Sequence, residues 1–555
     1  MKAMKKIMSV LMALLMVLSM AACGGGNGGN TVVNSDDPNE IVEDTTTLNI
    51  MILHKGYGYK WLEALKIGFE TANPGVTVKL TTISKGDIIK GDLKNYKKSD
   101  FDLYFDISNT GRASLVQEYS TYYAGNQALR PLNDVLNAQI PGEGITVKEK
   151  MYDSVLISYQ QEGQDTEDTA DDVYYGLPYV TGAMGLYYNE TVINEALGEG
   201  NWEIPNTTDE MIALCNKLKD AGCHILLPGS LDQYAKSFFL ANWAQYEGLE
   251  NYLKFFGGVG FDNDRGRETT KSSLIYQQEG RLESMKVAFD LLDPDNGFIL
   301  SNTAEIGVNN LNDYQKRFVD PKNKLAFYFC GDWLMQELQD NGGANGSASV
   351  IKMMKTPVIS SIINSTNGYS VDHEARLPNV NDDATLSAVV DYVDGVSDTL
   401  PAGVTEDEVT FIREARSIMG SNNDLHSVYA PAFSNAKTLA NNFLIYMASD
   451  EGIQLFKDNC VGGFAPYQYE YEGLNTTEQS IYEATKDGTF VCDFKYHELF
   501  YFAGAKAINL GMSGTFDSYI TSPVGQFADA QALNQQFIDD NSGIKWDTLV
   551  DRIAG

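Results

Sequence analysis

The sequence predicts an α/β protein of two lobes joined by more than one strand. Three observations carry that prediction. At 555 residues the chain is longer than one hydrophobic core organises, so it divides into lobes. Its opening reads β-α-β-α-β, the pattern of an open, mostly parallel sheet with right-handed crossovers. A later stretch, residues 174–190 (YYGLPYVTGAMGLYYNE), reads as an extended connection with flexible points.

Residues 48–53 are apolar enough for a first strand. The Gly-rich loop 54–59 follows. A helix then carries Trp61, Leu62, Leu65 and Phe69 on one face at helical spacing, and Asn73-Pro74-Gly75 stops it. Val76, Val78 and Leu80 alternate as a second strand. A polar, helix-like stretch leads to a third strand over 101–107. In such sheets ligands sit beyond the carboxyl ends of the strands, which here are 54–59 and 106–109.

Within 174–190, Pro178 fixes its own φ and extends Leu177. Gly182 and Gly185 supply backbone freedom between two apolar runs. In isolation the stretch is equally a core strand after a loop. Placed after a β-α-β-α-β lobe and before a helical one, it reads as the first lobe-to-lobe crossing, with Tyr179 and Gly182 at the hinge.

The remaining elements follow in order. Residues 130–136 are a turn and short helix, and 161–172 an acidic loop. Thr207 with Glu210 suggests a capping box for a helix whose face is Met211, Leu214, Cys215 and Leu218. Residues 225–227 suggest a strand, and 237–246 an aromatic helix. The span 249–341 is mainly helical and ends in a strand over 325–330 that turns at Gly331-Asp332-Trp333. Residues 352–359 look extended. The segment 360–425 interrupts the pattern and reads as an insertion of helices and loops, with a second capping box at Thr405 and Glu408. Ser434 is expected to cap a helix bearing Leu439, Phe443, Ile445 and Met447. Residues 462–467 form a loop, and the last helix carries Trp546, Leu549, Val550 and Ile553 at i, i+3, i+4, i+7. The expected division is 1–22 signal peptide, 23–46 tether, 47–180 first lobe and 181–350 second lobe. Residues 351–460 then return to the first lobe with the insertion 360–425, and 461–555 complete the second.

The N-terminus is a secretory signal. Lys2, Lys5 and Lys6 precede an apolar run over 7–20 broken only by Ser9 and Ser19. Met20-Ala21-Ala22-Cys23 is similar to the bacterial lipobox, which implies diacylglyceryl and palmitoyl chains on Cys23. Several acyl chains hold a protein at a bilayer where one is marginal. GGGNGGN behind Cys23 suits a flexible tether.

Net charge is −34 from 75 acidic and 41 basic residues. Such a chain repels phosphate backbones, which excludes nucleic acid as a partner, and it offers no polybasic membrane patch. No second apolar run reaches transmembrane length. The other cysteines, 215, 223, 330, 460 and 492, form no C-x-x-C pair, so zinc and thioredoxin signatures are absent. They read as buried thiols, with a Cys215–Cys223 bridge left open.

Catalytic motifs fail one by one. His373-Glu374 and His497-Glu498 lack the second His of a zinc helix, and there is no G-x-S-x-G elbow, P-loop or dinucleotide fingerprint. No catalytic residue, metal ligand or cofactor is nominated. With 75 carboxylates, a glycosidase-like pair is always available and therefore uninformative without geometry.

Several segments together carry a resemblance. They are Cys23 with its tether; Lys55-Gly56-Tyr57 followed by Phe69-Glu70 and Asn73-Pro74-Gly75; Tyr174-Tyr175-Gly176-Leu177-Pro178 through Tyr188-Asn189; Lys324-Leu325-Ala326-Phe327 leading to Gly331-Asp332-Trp333; and Pro431, Ser434, Leu439-Ala440 with Ser449-Asp450-Glu451-Gly452. In this order the chain resembles the extracellular solute-binding proteins of bacterial ABC transporters, specifically the carbohydrate-binding group that includes the maltose-binding proteins. The resemblance implies a type II periplasmic-binding-protein-like fold, a multi-strand hinge, and closure on a ligand without chemistry. It also implies a lipid-anchored monomer on the extracytoplasmic face that serves a membrane permease. The insertion 360–425 and the overall length depart from the family pattern.

Sugar capture needs aromatic faces for C–H surfaces and fixed polar groups for hydroxyls, since each hydroxyl buried unpaired costs about 1–3 kcal/mol. The expected ligand residues are Tyr57, Asp106, Asn109, Trp243, Asp332, Trp333 and Tyr467. Trp333 matches a position where family members commonly offer a sugar-facing Trp. Two other classes stay open: a cell-surface glycoside hydrolase, and a binding protein for a non-sugar solute such as a peptide.

Overall fold

Strand β1 (Thr47–Leu53) is buried on both faces from Ile50 onward, as befits a strand inside a parallel sheet covered by helices. The computed structural model describes residues 44–84, 101–106, 129–157, 159, 173–226, 234–262, 267–270, 273–293, 296–298, 311–342, 349–366, 374–422, 426–432, 434–492 and 529–540. Helix α1 (Lys60–Ala72) buries Trp61, Leu62, Leu65 and Phe69, the face the sequence predicts. It stops where both the backbone and the side chain of Asn73 donate to the Phe69 carbonyl at 2.9 Å. Strands β2 (Thr77–Ile83) and β3 (Leu103–Asp106) flank β1 in parallel. The helix expected between them lies outside the described residues.

The chain then crosses from β4 (Leu177–Pro178) to β5 (Ala183–Asn189), a wholly buried strand. The second lobe adds α2 (Thr208–Asp220), β6 (His224–Leu226), α3 (Lys236–Glu247) and the small antiparallel pair β7 (Gly260–Asp262) and β8 (Arg267–Thr269). Next come β9 (Leu325–Gly331), α4 (Leu334–Asp340), β10 (Ile351–Met354), α5 (Asp383–Val393), α6 (Glu406–Ser417) and β11 (Ile418–Ser421). The chain re-enters the first lobe through β12 (Ser427–Tyr429), α7 (Lys437–Met447) and α8 (Asp450–Asn459), the last packing on α1. Helix α9 (Thr476–Thr485), packed on β10, and β13 (Thr489–Val491) belong to the second lobe.

Two sheets result. The first runs β2-β1-β3-β12-β4, with β12 antiparallel to both β3 and β4. The second runs β13-β11-β5-β9-β6, and β10 also pairs with β5. On one edge of β5, β11 takes Ala183 and Met184 while β10 takes Leu186 to Asn189. The other edge carries β9.

Three segments join the lobes: 179–182, 422–426 and 460–475. They are tied together. The Thr181 N–H donates to the Phe464 carbonyl at 3.0 Å, and the Ser421 hydroxyl to the Thr181 carbonyl at 2.8 Å. Gly182 sits at φ 60°, a left-handed conformation that glycine adopts without the Cβ penalty.

Several expectations need correction. The chain does not return to the first lobe at residue 351. Strand β10 is held by β5, and α5 and α6 bury Leu386, Val389, Val390, Val409 and Ile412 in the second lobe's core. The segment read as the insertion 360–425 is therefore second-lobe material up to β11. Ser434 does not cap α7, which starts after Ala436. Its hydroxyl donates instead to buried Asp102 at 2.6 Å, where an unmet carboxylate oxygen costs more than a bare helix end. Thr207 accepts from the Glu210 N–H, but the Glu210 carboxylate takes the Asn206 N–H, so that box is half formed. The box at Thr405 and Glu408 is complete. The helix expected around Trp546 lies outside the described residues. No described helix is long and apolar enough to cross a membrane.

Candidate functional site

The carboxyl end of β1 delivers the loop 54–59 to the junction between the lobes. Gly56 and Gly58 both have positive φ, 50° and 66°, and turn the loop so that Tyr57 drops inward. The Tyr57 hydroxyl donates to Asp332 Oδ1. Asp332 follows β9 and is wholly buried. Its N–H donates to the Ala183 carbonyl at 2.9 Å, which pins it to the start of β5. Its Oδ2 accepts from the Thr181 hydroxyl at 3.3 Å. One aspartate thus links the first lobe and a crossing through its carboxylate and the start of β5 through its backbone. Burial pushes its pKa up to about 7, against the opposing pull of these donors. Burial, and then the charge of Asp332, push the Tyr57 phenol well up.

Trp333 lies over the end of β9. A Cβ at Gly331 would fall 2.0 Å from Trp333 Cζ3, so the glycine is what lets the indole fold back. The indole meets Tyr57 and Tyr234 edge to face at 5.7 Å each and His426 at 5.8 Å. The His426 ring is 4.9 Å from Tyr57, and its Nδ1 is 3.2 Å from the Tyr179 hydroxyl. Burial lowers the His426 pKa to about 3, so the ring is neutral. Tyr179 stacks on Trp61 at 5.3 Å. Asp106, opposite Ser427 in the β3–β12 ladder, is close enough to add to the burial that raises the Tyr179 phenol.

The structure therefore brings together Tyr57, Asp332 and Trp333, with Asp106 and Tyr179, on the first crossing, behind them. It does not bring Trp243 there. That side chain is 1% exposed, donates to Gln278 Oε1 at 2.9 Å, and packs against Tyr252 and Phe255 in a separate aromatic core. Helix α3 is buried all round, so an indole on it has no cleft to face. Tyr467 is likewise core, its backbone bridged to Met151. Cys23 and Asn109 lie outside the described residues. Sequence reasoning missed Thr181, Tyr234 and His426. The position of Thr181 beside Gly182 was the available signal for the first, while His426 carries no local signal at all.

Among the described residues no three His, Cys, Asp or Glu side chains gather into a metal-binding group, and Cys215, Cys223, Cys330, Cys460 and Cys492 are buried free thiols. A groove of about 1420 Å³ lies on the second lobe beside Trp202 and Lys217. Among the described residues, Tyr57, Asp332, Trp333, Tyr234 and His426 pack directly on one another at the junction. The junction can hold a hydroxyl donor on Asp332 between aromatic rings, provided those rings move.

Residues 54–298 match the family described as bacterial extracellular solute-binding protein. No curated protein sequence matches the chain. Among solved structures, a chitin oligosaccharide binding protein is similar at 16% identity and TM-score 0.52, covering 92% of this chain and 99% of that one. The GacH receptor of Streptomyces glaucescens, solved unliganded and with acarbose, is similar at 14% and 0.50 over 92% and 99%. RafE in complex with raffinose is similar at 16% and 0.50 over 90% and 100%. At these identities the likeness is one of fold, and that fold is the two-lobed type II arrangement. Over residues 54–298, through the opening of its first lobe and much of its second, this chain is thus similar to the bacterial extracellular solute-binding proteins.

Proposed function

We propose that the protein captures a neutral carbohydrate, an oligosaccharide, between its lobes and delivers it to the permease of an ABC importer. The observation that carries this reading is Asp332, a buried carboxylate set beside Tyr57 and Trp333 where the two lobes meet. A carboxylate that accepts two hydroxyl hydrogen bonds suits polyols, and flanking rings suit the C–H faces of pyranoses. Among the described residues, the acid at the junction is Asp332, and the polar groups around it are phenols, a threonine hydroxyl and a neutral imidazole. That lining disfavours an anionic solute. The sugar ligands named for the GacH and RafE structures support the same class.

Tyr57, Asp332 and Trp333 are the proposed ligand contacts, with Asp106 behind them at the end of β3; Asn109, outside the described residues, is kept as a proposed contact. Tyr179 and Gly182 serve the hinge. Cys23 carries the lipid that holds the protein on the outer face of the membrane. Binding without turnover is the reading supported by the match of residues 54–298 to a family of solute-binding proteins.

Calorimetry against raffinose, acarbose, chitin oligosaccharides and a peptide set tests the ligand class. Binding of one or more glycans is expected. Peptide binding with no heat from any glycan overturns the carbohydrate reading and leaves the fold untouched. Replacing Cys23 by Ser tests the anchor, with release of the protein into the medium as the expected result.

A further inference from the structure

The groups that a ligand would meet at the junction are engaged with one another. Tyr57, on the first lobe, donates to Asp332 Oδ1 on the second, and Thr181 donates to Oδ2. The loop around Tyr57 presses on α4 from across the junction. A Cβ at Gly56 would sit 3.8 Å from Trp333 Cγ, and one at Gly58 would sit 3.3 Å from Asp340 Oδ2. The third crossing closes the back, where a Cβ at Gly463 would fall 2.7 Å from the Tyr57 ring. The first hydrophobic core runs without a break from Leu48 and Trp61 through Tyr57 and Trp333 to Tyr187 and Phe490. A sugar ring sandwiched between two flat faces needs roughly 7–8 Å between them, two ordinary carbon contacts. The Tyr57 and Trp333 centroids are 5.7 Å apart, edge to face.

We propose that Tyr57 is an internal ligand. Its phenol holds, on Asp332, the place of an incoming ligand hydroxyl, so that the unliganded protein rests with its lobes shut and binds solute by exchange. This deepens the reading of the junction as the solute site and, for the exchange step, rests on it. The consequence for specificity is direct. A solute enters by presenting a hydroxyl donor that replaces the phenol, while an ionised carboxylate in that place has no hydrogen to offer Asp332. The consequence for affinity is that the binding-competent state is a minor one, and the apparent dissociation constant rises in proportion to its scarcity. Removing the phenol hydroxyl frees Asp332 and makes the open state commoner.

The test needs no ligand. Ile67 on α1 is 62% exposed and Val396, after α5, is 77% exposed, one on each lobe. Spin labels on Ile67→Cys and Val396→Cys, in a Cys23→Ser background whose other thiols are buried, report the distance between the lobes. The ligand-free protein is expected to give a single short distance. Tyr57→Phe, which keeps the ring and loses the hydroxyl, is expected to add a longer second distance. A long distance in the ligand-free parent overturns the proposal, as does a Tyr57→Phe distribution identical to the parent's. Should Tyr57→Phe fail to fold, the parent's distribution still decides whether the lobes rest shut. A protein that binds glycans but rests open keeps the proposed function and loses this inference. One that rests shut and binds no glycan does the reverse.

Discussion

Asn422 donates its backbone N–H to the carbonyl of Gly182 at 2.9 Å, and so ties the second lobe-to-lobe crossing to the first. The bond holds Gly182 at φ 60°, where a side chain is strained. The geometry of the crossing thus rests on a glycine and on hydrogen bonds between segments far apart in sequence.

Gly182→Val tests this. A non-glycine residue in the left-handed region costs about 1–2 kcal/mol, and here that strain falls on the crossing. Glycan affinity by calorimetry is expected to fall about 5–30-fold, the same energy expressed as a ratio. Small-angle scattering should show a more open particle with folding retained. Unchanged scattering and affinity would count against the hinge assignment.

Trp333 and Trp243 make a contrasting pair. Both are buried, yet only Trp333 belongs to the junction. Trp333→Ala is expected to abolish measurable glycan binding and also to destabilise by about 3–5 kcal/mol. Trp243→Phe leaves Gln278 Oε1 without its donor, at a cost of about 1–3 kcal/mol, and should leave affinity unchanged. Melting curves beside binding isotherms for the two variants separate core from site.

Gly331→Ala should disturb the site without touching a polar group. Its Cβ would fall 2.0 Å from Trp333, so the indole must swing away. A shift in tryptophan emission together with at least tenfold weaker glycan binding is the expected outcome. Parent-like emission would mean the indole already lies elsewhere.

Asp332 and His426 predict an unusual pH profile. Burial raises Asp332 to about 7 from 3.8, so its contribution to stability is full below pH 4 and is lost as pH rises to about 7. Burial lowers His426 to about 3 from 6.5, so its contribution is full above pH 6.5 and is lost as pH falls to about 3. Between about 4 and 6.5 the two slopes oppose one another and cancel. Asp332→Asn removes one of them. Stability of that variant should climb with pH across this window by about 1.4 kcal/mol per unit. Denaturant midpoints at pH 4.5, 5.5 and 6.5 check it, and parallel profiles for parent and variant would refute the assignment.

What the sequence by itself determined is local. Alternation and helical spacing place β1, α1 and β2, because burial of one face leaves its period in the chain. The capping box at Thr405 and Glu408 closes within four residues, and the need for glycine at 182 follows from a turn between two apolar runs. Those signals suffice for an α/β fold in two lobes. What only the tertiary structure decided is non-local. Tyr57 and Asp332 are 275 positions apart, and neither residue's neighbours announce the other. Strand β10 joined the second lobe because β5 had an open edge to satisfy, and Ser434 left its helix end for Asp102 because a buried carboxylate needs donors. Trp243 and Trp333 look alike in sequence. One lies on a helix buried all round and the other at a strand end between lobes, and only packing distinguishes a core indole from one set at the junction.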